Sequence, residues 1–461
     1  MRSPKAPSIN PAIIRSYDIR GVVGQQLGLA DAHALGLAYA AHAIARGKHR
    51  IAVSRDGRLS SPDLEAALAA GLTAGGMNVL RLGVGPTPRM YFAVQAAELE
   101  GGVMVTGSHN PPEQNGFKLV LDGEPVFGAA LKRLVATPAT KRPGGATHDL
   151  YLGGIEITTH YVRRLAAVAA GAGELHVVWD CGHGAVGTVI GALVARLPGQ
   201  HTLLNARVDG SFPAHHPDPA VPANLRQLQT MVVAKGADLG IAFDGDGDRI
   251  GVVDATGRII WPDQLVLFLA LEILAAHPGA TVVADVKSSR VLFDEVERLG
   301  GRAVMVPSGY VIVREAMLRE KAPLAGEMSG HIVYADCWHA SDDALYVAMR
   351  LLAALGNQGC TLAEFRESLP RMSATPELRV ACPESRKQAT IREVAARLVA
   401  RGAKVDTTDG LRVTADEGWW LLRASGTEPK LTARCEAADP DGLERLRGEL
   451  LSHLRQSGIR C

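Results

Sequence analysis

Three stretches of the chain repeat one pattern. An apolar, β-rich run ends at an aspartate, a polar turn follows, and then comes a helical stretch. The stretches are RIAVSRDGR at Asp56, LHVVWDCGHG at Asp180 and TVVADVKSSR at Asp285, with the aspartates 124 and 105 residues apart. Strands alternating with helices confine the fold to parallel α/β units. After the first aspartate, SPDLEAALAAGLTAGG is predicted to be a helix, with Ser61 as its cap, Pro62 at its first position and a Gly pair at its end. The predicted architecture is three similar α/β domains in tandem. The chain changes character from about Ser373, where the order becomes strand ELRVAC, helix ATIREVAARLVARG, short strands LRVTAD and GWWLLRAS, strand KLTARCEA and helix GLERLRGELLSHLRQSG. Runs of strands closed by a helix indicate a smaller α+β domain. The most linker-like stretch is RPGGATHD at 142–149.

Length and composition narrow the function. At roughly 150 residues per domain, 461 residues suggest about three domains. Lys plus Arg is 49 against 48 Asp plus Glu, a net charge of +1. A bulk nucleic-acid binder would carry a basic surplus, so no nucleic-acid partner is expected. The chain is 47% hydrophobic and 21% charged, which fits a globular protein and not a disordered one. Six cysteines, at 181, 337, 360, 382, 435 and 461, form no CxxC pair, as in a reduced cytoplasmic chain. The N-terminus lacks the apolar run of a signal peptide. The most apolar window, 265–276, contains Glu272 and is too short to span a bilayer, so a core helix and no membrane partner are expected. Glycine stands out: 50 residues is about 11%, against a usual value of roughly 7%.

Four loops carry the chemistry. In VMVTGSHNPPEQNGFKL, 103–119, a strand runs into Thr106-Gly107-Ser108-His109-Asn110, and two prolines stop regular structure. A hydrolase elbow, G-x-S-x-G, would need Gly at 106 and 110, which are Thr and Asn. The densest signal is ADLGIAFDGDGDRIGVVDATG, 237–257, where two apolar runs, read as a β-hairpin, flank Asp244, Asp246 and Asp248. Three carboxylates on one short loop repel one another unless a cation joins them, and hard oxygen ligands at this density imply Mg²⁺ or a similar ion. An EF-hand is excluded, because counting from Asp244 puts Arg249 at position 6 and Ala255 at position 12. In PLAGEMSGHIVY, 323–334, Glu327 and Ser329 are suited to sugar hydroxyls and His331 to proton transfer near neutral pH. In LLRASGTEPKL, 421–431, Arg423, Ser425, Gly426 and Thr427 offer a fork, hydroxyls and amides to an anion, although the loop is not a Walker A sequence. Tyr17 and Arg20 in RSYDIRG, Lys118 after the Ser108 loop and Lys287 after the third strand add polar and cationic groups.

Taken together and in this order, YDIRG, TGSHNP, DGDGDR, GEMSGH and RASGT strongly resemble the α-D-phosphohexomutase superfamily over almost the whole chain. TGSHNP and DGDGDR are the most specific of them. The resemblance implies four domains around one central cleft, each giving one loop: 1–152 with the phosphoserine loop, 153–258 with the metal loop, 259–371 with the sugar-recognition loop, and 372–461 with the phosphate loop. It makes Ser108 the phosphoserine and Asp244, Asp246 and Asp248 the Mg²⁺ ligands, with the Ser108 phosphate completing the site. Lys118 and His331 become the acid/base candidates, and Arg20 and Arg249 stabilise charge. Glu327 and Ser329 would read the sugar 3- and 4-hydroxyls. Arg423, Ser425, Gly426 and Thr427 would hold the non-reacting phosphate, with Tyr17, Lys287 and Tyr310 as further substrate contacts. Two places depart from the family pattern. Gly426 stands where many relatives have Asn and Glu428 where they have an uncharged residue, and PSGYV puts Tyr310 where a substrate-contacting His is usual.

The implied reaction moves a phosphoryl group between the 1- and 6-positions of a glucose or mannose phosphate through a 1,6-bisphosphate. Glucose 1,6-bisphosphate would serve as activator. Small hexose phosphates are the expected partners. Mg²⁺ and basic groups are required because charge sits on the transferring oxygens, and water must be excluded. A phosphoglucosamine-type mutase shares the serine and metal loops. A Mg-dependent sugar phosphatase would release free phosphate, and a non-catalytic phosphosugar binder would show no Ser108 phosphorylation.

Overall fold

The protein was analysed as a computed structural model that describes residues 9–138, 147–148, 151–425 and 430–460. Its contacts divide it into two compact units. One comprises Met1–Glu272 with Ser329–Ala363, the other Ile273–Met328 with Glu364–Cys461.

The first unit contains two sheets. In the first, strands Arg50–Arg55, Asn78–Val84 and Gly101–Val105 run parallel, with Arg50–Arg55 between the other two. Gln114–Leu121 returns antiparallel beside Gly101–Val105 and pairs on its far side with Ile19–Val22. Helices Leu29–Ile44 and Ser61–Ala74 cover one face and bury Leu35, Leu64, Leu68 and Leu72 with Ile51, Val53, Val103 and Val105. The helix after Asp56 forms as the sequence predicts, but Ser61 does not cap it. Ser60 occupies the cap position without a side-chain bond, and the Ser61 hydroxyl turns inward to donate to Asp56 Oδ1. A buried carboxylate outcompetes the helix end for that hydroxyl, because an unmet charge in the interior costs more than an unmet backbone N–H.

In the second sheet, His176–Asp180 lies between Gln200–Leu204 and Leu239–Phe243, all parallel. Leu239–Phe243 then turns through the Asp-rich loop into Ile250–Asp254, the hairpin expected from the sequence. Both of its strands are buried throughout, which accounts for their unbroken apolar runs.

The second unit repeats the parallel core with Thr281–Asp285 between Arg302–Val306 and Leu324–Gly326. Its other sheet is antiparallel and includes Lys404–Asp406, Leu411–Ala415, Gly418–Ala424, Lys430–Ala437 and Leu378–Ala381. Helices Glu384–Ala400 and Pro440–Gln456 pack Val394, Leu398, Leu450 and Leu454 against Trp420, Leu422 and Leu431. The molecule therefore has three parallel-cored α/β sheets and an antiparallel C-terminal sheet with helices. The apolar window at 265–276 lies in helix Pro262–Ala276, and among the described residues no helix is long and apolar enough to cross a membrane. The linker-like 142–149 falls largely outside the described residues.

The three aspartates of the repeated pattern occupy equivalent places. Asp56 follows its strand directly, and Asp180 and Asp285 end theirs. All three are buried. Each sits at the carboxyl end of a central parallel strand, where open α/β sheets bind ligands.

Candidate functional site

Ser108 lies on the turn after strand Gly101–Val105 and is held at φ +49°, in the left-handed region. A non-glycine residue there costs about 1–2 kcal/mol, so its surroundings must impose it. Two residues from the next strand end do so. Asp56 Oδ2 accepts the Thr106 hydroxyl at 2.8 Å and the Gly107 N–H at 3.0 Å. The Arg58 guanidinium, fully buried, donates to the carbonyls of Ser108, Asn110 and Pro111, each at 2.6 Å, and of Gln114 at 3.0 Å. One planar cation thus ties four carbonyls of the serine loop, a task its rigid fork suits.

The Ser108 hydroxyl donates to Asp244 Oδ2 at 2.7 Å, so the two sheets of this unit meet at Ser108. The two loops approach closely: a Cβ on Gly245 would lie 2.4 Å from the Ser108 carbonyl oxygen, which explains why glycine separates the first two aspartates. Asp244 Oδ1 accepts the N–H groups of Gly247, Asp248 and Arg249 at 2.9–3.2 Å, fixing the turn. Asp246 Oδ2 accepts the Thr87 hydroxyl and, at 2.7 Å, Lys118 Nζ, which also contacts Asp248.

The electrostatics of the loop are sharply divided. Burial, together with the charges of Asp248 and Asp246, pushes Asp244 well above the usual carboxylate range. Burial works the same way on Asp246, but Lys118 beside it outweighs burial and holds that group below the usual range. Burial opposes the charge of Lys118, and the attraction of Asp246 and Asp248 more than restores it, so its pKa is raised. Asp246 Oδ1 and Asp248 Oδ1 are buried with no hydrogen-bond partner among the described residues. Asp244, Asp246 and Asp248 each offer an oxygen within 4.8 Å of the others. Unpartnered buried carboxylate oxygens at this spacing fit a small divalent cation such as Mg²⁺.

Cationic and basic groups surround the loop. Arg20 donates through Nη1 to the Thr106 carbonyl at 2.6 Å and through Nε to Asp18 at 2.7 Å. Arg249 Nε donates to His331 Nε2 at 2.9 Å, and His331 Nδ1 lies 2.7 Å from Asp342 Oδ2. Since Nε2 accepts from Arg249, the ring hydrogen of this tautomer sits on Nδ1, the nitrogen nearer Asp342. Strand Ile332–Tyr334 positions this pair, because Val333 bridges antiparallel to Asp342. Ser329 Oγ is buried and makes no hydrogen bond. Tyr17 is 38% exposed and packs at 6.5 Å from Phe127.

The second unit holds the other sequence candidates. Glu327 Oε1 accepts the Gly309 N–H at 2.8 Å, at the start of helix Tyr310–Glu320. Asp285 accepts from the Ser288 and Ser308 hydroxyls and from the Met328 N–H. Lys287 Nζ lies 3.7 Å from the same carboxylate. Arg423 is paired through Nε and Nη2 with Asp409 Oδ2 at 2.9 Å. Ser425 donates its N–H to the Lys430 carbonyl, while its own carbonyl accepts from Lys387 Nζ at 2.7 Å. Gly426, Thr427 and Glu428 lie outside the described residues.

Sequence reasoning thus found the groups that share the first unit's site: Ser108, the three aspartates, Lys118, Arg20, Arg249 and His331. It missed their supports, namely Arg58, Asp342, Lys387 and Asp409, and gave no role to His109. The His109 ring nitrogen lies 3.2 Å from the Ser108 hydroxyl, and burial with the charges of Arg249 and Arg20 keeps its pKa well below the usual value. The TGSHNP motif was a signal for His109. None marked the others, each a single charged residue outside the recognisable motifs.

Family models describe this arrangement. Phosphoglucomutase/phosphomannomutase alpha/beta/alpha domains I, II and III match residues 12–141, 159–257 and 261–372, and the C-terminal domain of that family matches 377–453. A phosphomannomutase/phosphoglucomutase of Pseudomonas aeruginosa is 39% identical over 460 residues, covering 99% of this chain and 98% of that protein. A phosphoglucomutase of Neisseria gonorrhoeae is 39% identical over 455 residues, covering 95% and 96%. The crystal structure of a phosphoglucomutase/phosphomannomutase family protein from Burkholderia thailandensis superposes with a TM-score of 0.87 at 36% identity, covering 98% of each chain.

Proposed function

Because the chain belongs to the phosphoglucomutase/phosphomannomutase family, we propose that it interconverts the 1- and 6-phosphates of glucose, mannose or both, with Ser108 carrying the phosphoryl group between them. The observation that carries this reading is the 2.7 Å bond between the Ser108 hydroxyl and Asp244, on a loop with unpartnered carboxylate oxygens. The serine is placed where a phosphoryl group on its oxygen would face a cation.

In the forward direction phosphoserine gives its phosphoryl group to the free hydroxyl of a hexose phosphate, and a 1,6-bisphosphate results. Return of the other phosphoryl group to Ser108 releases the isomeric monophosphate. Both half-reactions build charge on the transferring oxygens, so catalysis is chiefly positioning and charge stabilisation. Lys118 and Arg20 supply positive charge next to Ser108. His331, with Asp342 beside its Nδ1, exposes Nε2 as the base for the sugar hydroxyl once Arg249 turns to the phosphoryl oxygens. Asp244, Asp246, Asp248 and the Ser108 phosphoryl oxygens would hold Mg²⁺, which neutralises charge when bound.

Recognition is assigned to the remaining loops. Glu327 and Ser329 take the sugar hydroxyls. Arg423, Ser425, Gly426 and Thr427 take the phosphate that does not react, and Tyr17, Lys287 and Tyr310 complete the substrate contacts. The four stretches 1–152, 153–258, 259–371 and 372–461 each supply one of these loops. Glucose 1,6-bisphosphate serves as activator by phosphorylating Ser108, and the cytoplasm, where hexose phosphates are made and used, is the site of action.

The test is turnover of glucose 1-phosphate and mannose 1-phosphate to their 6-phosphates, with and without Mg²⁺ and glucose 1,6-bisphosphate, paired with intact-mass measurement. Mg²⁺-dependent isomerisation with one phosphoryl group on Ser108 is expected. Steady release of inorganic phosphate without 6-phosphate product would overturn the reading in favour of a phosphatase, and turnover of glucosamine 1-phosphate alone in favour of a phosphoglucosamine mutase.

A further inference from the structure

Asp409 lies in the turn between strands Lys404–Asp406 and Leu411–Ala415, outside every loop singled out in the sequence. One of its oxygens, Oδ2, accepts two hydrogen bonds, from Arg423 Nε at 2.9 Å and from the backbone N–H of Ser308 at 3.1 Å, and forms an ion pair with Arg423 Nη2 at 2.9 Å. The turn itself is set. Asp406 accepts the Thr408 N–H at 2.7 Å, and Gly410, at φ +80°, presses so closely on the neighbouring strand that a Cβ would lie 2.3 Å from the Leu422 carbonyl oxygen. Asp409 is therefore delivered to Arg423 by backbone geometry and not by a flexible stem.

The other side of the contact is equally constrained. The Ser308 hydroxyl donates to the buried Asp285, and the next N–H, of Gly309, donates to Glu327. A continuous run of hydrogen bonds links Glu327, the 308–309 backbone, Asp409 and Arg423. The two ends of this run are the residue assigned to the sugar hydroxyls and the residue assigned to the non-reacting phosphate.

We propose that Asp409 is a positioning residue that fixes the Arg423 guanidinium for the non-reacting phosphate and anchors that grip to the backbone beneath Glu327. The proposal rests on the assignment of Arg423 to that phosphate. Asp409 uses one edge of the guanidinium, Nε and Nη2, and so sets the direction in which the Nη1 side points. A guanidinium held by a carboxylate loses less rotamer freedom when it meets a phosphate, so the carboxylate preorganises the site and does not merely compete for it.

The test uses the full-length enzyme with Asp409→Asn, Asp409→Glu and Arg423→Gln. For Asp409→Asn, KM for glucose 1-phosphate and the inhibition constant of inorganic phosphate are expected to rise about tenfold, the scale of one charge-assisted hydrogen bond. The larger part of the loss should fall on KM and not on kcat. Asp409→Glu, which keeps a carboxylate, should recover part of it, and thermal midpoints should stay close to that of the parent. Adding Arg423→Gln to Asp409→Asn should cost far less than Arg423→Gln alone, because the two act as one unit. Unchanged or tighter phosphate binding in Asp409→Asn would overturn the proposal, as would a loss confined to kcat and thermal midpoint. If Arg423→Gln itself leaves KM and phosphate inhibition unchanged, the assignment of Arg423 fails. If Arg423→Gln weakens binding and Asp409→Asn does not, only the role of Asp409 fails.

Discussion

The two units treat charge differently. In the first unit, Ser108, Asp244, Asp246 and Asp248 are 0–2% exposed, and Arg58 beside them is fully enclosed. In the second unit, the side chains of Lys287, Arg423 and Asp409 keep 15–19% of their surface exposed. Interaction energies scale inversely with the local dielectric, so a given displacement of charge matters several-fold more in the first setting than in the second. Chemistry that builds charge on transferring oxygens gains from a dry, prearranged setting. Holding a phosphate whose charge never changes needs no such setting, and partly hydrated groups can release it again. On the proposed assignment, the serine and the three aspartates lie in the drier setting, and Lys287 and Arg423 in the more hydrated one.

Variants can break or sharpen that contrast. The largest effect is expected from Ser108→Ala, which removes the hydroxyl proposed to carry the phosphoryl group. Its turnover of glucose 1-phosphate should fall by at least about a thousandfold in kcat, with thermal stability retained. Near-normal activity in a coupled assay would sink the role of Ser108. Next comes Arg58→Met, which strands Asp56 as an unpaired buried charge and releases four carbonyls. It should lower unfolding free energy by about 3–5 kcal/mol in urea titrations; a loss below about 1 kcal/mol would mean that the serine loop holds itself. Smaller still, Glu327→Gln keeps an acceptor for the Gly309 N–H but weakens the hold on sugar hydroxyls. A roughly tenfold rise in KM with a lesser change in kcat is expected, whereas a pure kcat loss would erase the distinction between the two units.

The smallest effect concerns pH. Asp343 caps helix Ala344–Gln358 by accepting the Tyr346 N–H, and it also accepts from the Tyr161 hydroxyl and Trp338 Nε1. Burial pushes its pKa up to about 7, against the opposing pull of these donors. The folded state therefore binds this proton more tightly than the unfolded state. The contribution is fully present below the unfolded carboxylate range and is lost as pH rises through about 7. Urea midpoints measured from pH 4 to 8 should show a falling component that Asp343→Asn flattens, and an unaltered slope in that variant would assign the dependence to other groups.

How much of this was legible in the sequence follows from distance along the chain. The Asp-rich hairpin declared itself because its strands and ligands lie within about twenty residues, and its buried strands could only be apolar. The serine loop was legible for the same reason. Asp56, Asp180 and Asp285 were visible as a repeat, but not what they do. Asp180 accepts from the Gly182 N–H, Asn205 and His215, and Asp285 from three separate segments, so each joins pieces that no local pattern connects. Ser61 was misjudged as a cap because helix propensity is local, whereas the buried carboxylate that claims its hydroxyl is a tertiary fact. Arg58 and Asp409 left no trace, since a lone charged residue in a sequence is most often a solvated one.

The left-handed backbone at Ser108 has a bearing on which nucleophile the site can use. Threonine carries the same hydroxyl and could take the same phosphoryl group on chemical grounds. A β-branched residue is nonetheless poorly tolerated at positive φ, where its second γ-substituent crowds the backbone. The fold thus restricts the choice of nucleophile by conformation as well as reactivity, and a serine-to-threonine exchange, conservative on paper, would here be a change of backbone.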